Sequence, residues 1–121
     1  AYAEVQHFLN RLDIPVVYVD DRIRVRRFSV RATEIVSLID TDVGRPLEHL
    51  SSRLKETDLA EQARRVIRTG RYLEKAVETA GGRWYLMRMS PYRGPQEETE
   101  GALISFLPFP EGGTDEDGGK G

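Results

Sequence analysis

Residues 71–109, RYLEKAVETAGGRWYLMRMSPYRGPQEETEGALISFLPF, decide the fold. Apolar and β-branched residues run from Tyr72 to Thr79, from Trp84 to Tyr92 and from Ala102 to Phe109. The first two runs are separated by Gly81-Gly82, and the last two by the polar stretch Gly94 to Glu100. Runs of this length, punctuated by turn residues, predict three consecutive strands in an antiparallel sheet. The connections are too short to hold a crossover helix.

Upstream of Gly70 the period changes. Asp58 with Glu61 three residues on resembles a capping box. The helix it opens carries Leu59, Ala63, Val66 and Ile67 inward and has Gly70 just past its end. Pro46 suits the first turn of a shorter helix bearing Leu47, Leu50 and Leu54, after a break over Asp40 to Gly44. Before that break, Ser29 is placed to cap a helix through Ile39, with Ala32, Ile35, Val36 and Ile39 as its apolar positions. Pro15–Val19 and Ile23–Phe28 flank Asp20-Asp21 and predict a hairpin. At the N-terminus Val5, Phe8, Leu9 and Leu12 form an amphipathic stripe.

The order is strand, strand, three helices, three strands. It predicts an α+β domain: a five-stranded antiparallel sheet with helices inserted between strands 2 and 3, plus an N-terminal amphipathic helix. Residues 1–12 are assigned to that helix, 13–109 to the domain and 110–121 to a disordered linker or tag, since EGGTDEDGGKG holds no apolar side chain. Ile14, Val16 and Tyr18 alternate with Pro15, Val17 and Val19, and Leu103 and Leu107 alternate with Ile104 and Phe106. Both sheet faces are therefore apolar at their centre. The inserted helices cover one. The N-terminal helix, or a second copy of the chain, is expected on the other.

Composition narrows the function. The 121 residues suit one domain, and 39% hydrophobic with 31% charged residues is an ordinary globular balance. No apolar run reaches the roughly 20 residues of a spanning helix, and the N-terminus has no secretory pattern, so a cytoplasmic protein without membrane insertion is expected. The first residue is Ala, and the two methionines are Met87 and Met89, so the chain is expected to be a piece of a longer protein. Absence of cysteine excludes disulfides, thiolate ligands and cysteine nucleophiles.

Catalytic and metal patterns are lacking. His7 and His49 stand far apart, and Asp40-Thr41-Asp42 reads as a turn rather than a calcium loop, with Ser51 where the bidentate Glu belongs. The glycines fit no phosphate-binding spacing. Ser90, His49 and Asp42 have no triad motif around them, and Glu97-Glu98 and Asp115–Asp117 lie in polar stretches as solvated surface. Five of the ten residues from Arg22 to Arg31 are Arg. Arg22, Arg24 and Arg26 share one face opposite Ile23 and Val25, the pattern of a half-exposed strand. With a net charge of −2, no nucleic-acid partner is expected. Trp84, Tyr85, Arg88 and Tyr92 could line a pocket, although core packing is the commoner use of Trp84 and Leu86.

Three stretches carry a family likeness: IPVVYVDDRIRVRRFSVRATEI from Ile14 to Ile35, DVGRPLEHLSSRL from Asp42 to Leu54, and GGRWYLMRMSPYR from Gly81 to Arg93. They resemble the PAS family, in particular the PAS segments of chemotaxis methylesterase/methyltransferase fusion proteins and sensor histidine kinases. The resemblance runs from about Phe8 to about Phe106. It implies the five-stranded sheet read above and a non-enzymatic sensor or signalling role in a bacterial multidomain protein. Small-ligand sensing, homodimerisation or both would then act on attached signalling domains. Ligand-free scaffolding is the alternative.

Flavin–cysteinyl photochemistry is excluded for want of cysteine. A haem ligand is not expected either, because the Asp58–Thr69 helix has no histidine, and His49 on the preceding short helix reads as a surface or capping residue. The cofactor, if any, stays unassigned. A ligand between helices and sheet is expected to meet Val25, Leu38, Leu50, Ile67, Trp84, Leu86 and Ile104. A dimer is expected to use Val5, Phe8, Leu9 and Leu12.

Overall fold

The structure, a computed structural model, describes residues 13–109 together with His7 and Arg11. The stripe of Val5, Phe8, Leu9 and Leu12 and the tail 110–121 lie outside the described residues.

Five strands form one antiparallel sheet: β1 (Val16–Asp20), β2 (Val25–Phe28), β3 (Leu73–Glu78), β4 (Trp84–Arg93) and β5 (Thr99–Pro108). Their spatial order is β2-β1-β5-β4-β3, so the first and last strands of the chain pair at the centre. Val17 faces Ile104 and Val19 faces Ala102 across β1–β5, while Met87 faces Phe106 and Met89 faces Ile104 across β4–β5. These side chains share one face and are all buried.

Helix α1 (Leu59–Thr69) covers that face, packing on β5 and β4. The expected signals start and end it. The Asp58 carboxylate accepts a hydrogen bond from the Glu61 amide at 3.1 Å, and Gly70 closes the helix at φ +71°, a left-handed conformation that suits glycine. Leu59, Ala60, Ala63 and Val66 are buried beneath it.

The segment between β2 and α1 departs from expectation. The helix read from Ser29 to Ile39 is a 3-10 stretch of five residues, Val30–Glu34. The backbone then extends, with the Ser37 amide donating to the Ser51 carbonyl and the Arg53 amide to the Ile35 carbonyl. Ile35, Val36 and Ile39 are β-branched and lose little in leaving the helix. Leu38 is buried in place of Ile39, which is 65% exposed. Ser29 caps no helix: its hydroxyl accepts from the Val16 amide at 2.9 Å and donates to the Ile14 carbonyl at 2.7 Å, tying β2 to the start of β1. The second expected helix shrinks to a 3-10 turn, Leu47–His49.

Asp40–Asp42 is a turn, as read, and Asp42 holds it. Its side chain is 6% exposed, and the carboxylate accepts from the Ile39 amide at 2.8 Å and pairs with Arg45 at 3.0 Å. No helix among the described residues is long and apolar enough to cross a membrane.

Candidate functional site

The space between sheet and α1 is where a small ligand would be enclosed in this architecture. It is filled by the chain's own side chains. Phe106, Ile104, Met87, Met89, Ile35 and Val36 are all at most 1% exposed, and Tyr85 meets Phe106 edge-on with centroids 6.0 Å apart. Methionine is unbranched and adapts to irregular gaps, so Met87 and Met89 suit the filling of this core.

Of the seven residues expected around a ligand, Val25, Leu38 and Ile104 lie in this core, and Leu50 and Ile67 pack against it half-buried. Trp84 and Leu86 do not join them. The ladder pairs Leu86 with Leu107 and Arg88 with Ser105, on the opposite face, where Trp84 and Leu86 are half-buried. The inward residues of β4 are Tyr85, Met87 and Met89. A signal for this was present: Arg88 and Ser90 share parity with Trp84 and Leu86, so that face carries the polar residues.

Two clefts open on the helical side. A cavity of about 560 Å³ lies between the 47–49 turn, residues 50–58 and the start of α1. Val36, Leu47, Leu50, Leu59 and Ala60 give it an apolar floor, with Glu48, Glu56 and Asp58 also on its lining. A smaller one, about 390 Å³, lies between the β1–β2 turn and the outer side of α1. Leu50 lines the first and Ile67 the second, so the structure divides the expected pocket between packed core, two surface clefts and the far sheet face. Sequence reasoning missed Gln62, whose side-chain carboxamide oxygen is buried on α1 with no donor among the described residues. Such an acceptor costs about 1–3 kcal/mol if nothing satisfies it.

The sheet face away from α1 is mixed, with Ser105, Arg88 and Ser90 set among its leucines. Leu86, Leu103 and Leu107 line it; Leu103 is 39% and Leu107 45% exposed. Tyr18 and Tyr92 meet edge-on at 5.4 Å near one end of it, and the Arg88 guanidinium lies 4.8 Å from the centre of the Tyr72 ring. Burial raises the Tyr18 phenol, and the nearby Tyr92, Glu100, Asp20 and Asp21 add to the rise. Glu98, just before β5, and Glu100, on that strand, share a hydrogen bond. Backbone amides hold Glu98 below its ordinary value, and the bond to Glu98 holds Glu100 above its own.

The described residues hold no group of three or more His, Asp or Glu placed to bind a metal. His49 is exposed at the end of its 3-10 turn.

Comparison with known proteins agrees with this architecture. A family model described as PAS domain matches residues 5–109. An uncharacterised 104.1 kDa protein of Rhodobacter capsulatus, in the hypE 3' region, is 35% identical over 105 residues; these make up 87% of this chain and 11% of that protein. The Vibrio cholerae VqmA dimer, a LuxR-type receptor solved without its target DNA, superposes with a TM-score of 0.67 at 15% identity, covering 90% of this chain and 51% of that one. The PAS domain of histidine kinase ThkA superposes with a TM-score of 0.66 at 18% identity, covering 78% of this chain and 98% of that one. The chain thus belongs to the PAS domain family, the sensor modules of signalling proteins, which are generally non-catalytic.

Proposed function

We propose that this domain is a non-enzymatic sensor of a cytoplasmic bacterial signalling protein, of the chemotaxis methyltransferase or sensor kinase type. In this reading it pairs with a second copy and biases attached output domains. The observation that carries the pairing is the exposure of two large apolar side chains, Leu103 and Leu107, on the sheet face away from α1, with Leu86 opposite Leu107. The amphipathic Val5, Phe8, Leu9 and Leu12 would extend the interface. The dimer in the VqmA structure supports the reading by analogy of fold.

Ligand sensing rests on the buried Gln62 oxygen, which has no donor among the described residues, and on the methionines of the inner face. The second reading, a ligand-free scaffold that positions neighbouring domains, is favoured by the tight packing of Phe106, Ile104, Met87 and Met89. Native mass spectrometry of the purified chain separates them. A dimer with an added small mass supports sensing, a dimer of bare chains supports the scaffold, and a monomer at high concentration overturns the pairing.

A further inference from the structure

The arginines of this chain are not alike. Arg24 donates to the Gly44 carbonyl, Arg26 pairs with Asp20, Arg31 with Asp13 and Glu34, Arg45 with Asp42, and Arg53 donates to the Thr33 carbonyl. The basic run from Arg22 to Arg31 is thus largely consumed within the fold. Arg22 is an exception: no side-chain hydrogen bond or ion pair engages its guanidinium among the described residues. Arg68, on the outer side of α1, is another. Arg65, Arg71 and Arg83 share this property, but of these five only Arg22 and Arg68 line the 390 Å³ cleft, with Asp21, Ile23, Arg64 and Ile67.

That cleft is built rather than incidental. One wall is the β1–β2 turn, held by the Asp20 carboxylate, which accepts from the Arg22 amide at 2.9 Å and the Arg24 amide at 3.1 Å. Ile23 sits in this turn at φ +61°, a left-handed conformation that β-branched residues rarely adopt. Its carbonyl accepts from the Leu47 amide at 2.9 Å, and its side chain is buried. The other wall is one turn of α1, in which Arg64 is fixed by Glu48 and by Glu61 at 3.3 Å. The lining carries three guanidinium groups against the single carboxylate of Asp21, with two isoleucines between them.

We propose that this cleft docks an acidic, amphipathic peptide segment of a partner protein: an apolar side chain seated on Ile23 and Ile67, with flanking carboxylates on Arg22 and Arg68. Charge complementarity selects the sign, since the guanidinium groups of Arg22 and Arg68 have no ion pair among the described residues and line the cleft together with Arg64 against one carboxylate, Asp21. A protein segment fits better than a free small molecule. Asp21, Arg22, Arg64 and Arg68 are all exposed, so an occupant stays largely open to solvent, whereas small-molecule sites enclose most of their ligand. The proposal is independent of whether anything is held between sheet and helix.

The test is a titration of the chain with a short fluorescent peptide of leucine flanked by glutamates, followed by anisotropy and by arginine side-chain and isoleucine methyl NMR signals. Saturable binding is expected, shifting Arg22, Arg68 and the Ile23 and Ile67 methyls and weakening with added salt. Arg22→Gln with Arg68→Gln should weaken it about tenfold or more, each lost charge-assisted contact being a sizeable share of so small an interface. Asp21→Asn should tighten it, an effect that misfolding cannot imitate; circular dichroism melts check the arginine variants. No saturable binding overturns the proposal, as does equal binding of a lysine-based peptide. Inorganic phosphate giving the same arginine shifts and displacing the peptide completely would make this a simple anion site and overturn it too. Unchanged affinity in both the paired arginine variant and Asp21→Asn would do the same.

Discussion

Gly101 lies so close to Val19 across the β1–β5 ladder that a Cβ on residue 101 would overlap the Val19 carbonyl oxygen and stand 3.1 Å from the Asp20 Cα. These are backbone atoms of the central strand pair, so neither side can yield without disturbing the ladder. Gly101→Ala is expected to destabilise the domain by about 3 kcal/mol, at the upper end of overpacking effects. Gly82→Ala is the comparison. Gly82 sits at φ +89° with open space around it, so only conformational strain applies, about 1 kcal/mol. Urea unfolding of both variants checks the ordering, and equal losses would show that the β1–β5 contact is not tight.

Ser29 joins two strands through one hydroxyl. Ser29→Ala leaves the buried Val16 amide without that partner and is expected to cost about 2 kcal/mol. Hydrogen exchange at the Val16 amide should accelerate more than at Val19, which keeps its place in the ladder. Uniform acceleration would mean that the hydroxyl bond is not local to the β1 start.

Asp42 holds its turn by the same logic with a charge. Asp42→Ala removes the bond to the Ile39 amide and the pairing with Arg45, and is expected to lower stability by about 2–3 kcal/mol. Arg45→Ala, at a far more exposed partner, should cost under about 1 kcal/mol. Thermal melts of the two variants distinguish the buried acceptor from the surface ion.

Gln62→Met tests whether a bound molecule satisfies the buried Gln62 oxygen. In a ligand-free core, replacing an unpaired buried acceptor by an apolar side chain of similar length should raise stability by about 1 kcal/mol. Where a bound molecule donates to that oxygen, the same change lowers the retained ligand mass in native spectra instead.

The paired replacement Leu103→Lys and Leu107→Lys addresses the exposed sheet face. Both side chains are already substantially exposed, so the monomer should lose under about 1 kcal/mol while self-association is abolished. Sedimentation at high concentration reads the outcome, and a persisting dimer would place the interface elsewhere.

Much of the fold was legible because it is locally encoded. Asp58, Glu61 and Gly70 begin and end α1 by hydrogen bonds and a backbone angle that belong to those residues alone, and Gly81-Gly82 turns β3 into β4 for the same reason. The Ser29–Ile39 segment failed because its apolar spacing fits a helix locally, while pairing of Ser37 with Ser51 rewards an extended chain. The candidate site was less legible. Val25, Leu38 and Ile104 reach the core, but Trp84 and Leu86 are set on the opposite face by a register with β5 that no local pattern states.

The sequence by itself determined the succession of the five strands and α1, the start and end of that helix, the β3–β4 turn and the exclusion of cysteine chemistry, since each depends on residue type and near-neighbour spacing. Only the tertiary structure decided which parity of β4 faces α1, which arginines are neutralised and which line an open cleft. Those outcomes depend on side chains brought together from distant parts of the chain: Arg22 and Arg68 line one cleft only because α1 lies beside the β1–β2 turn.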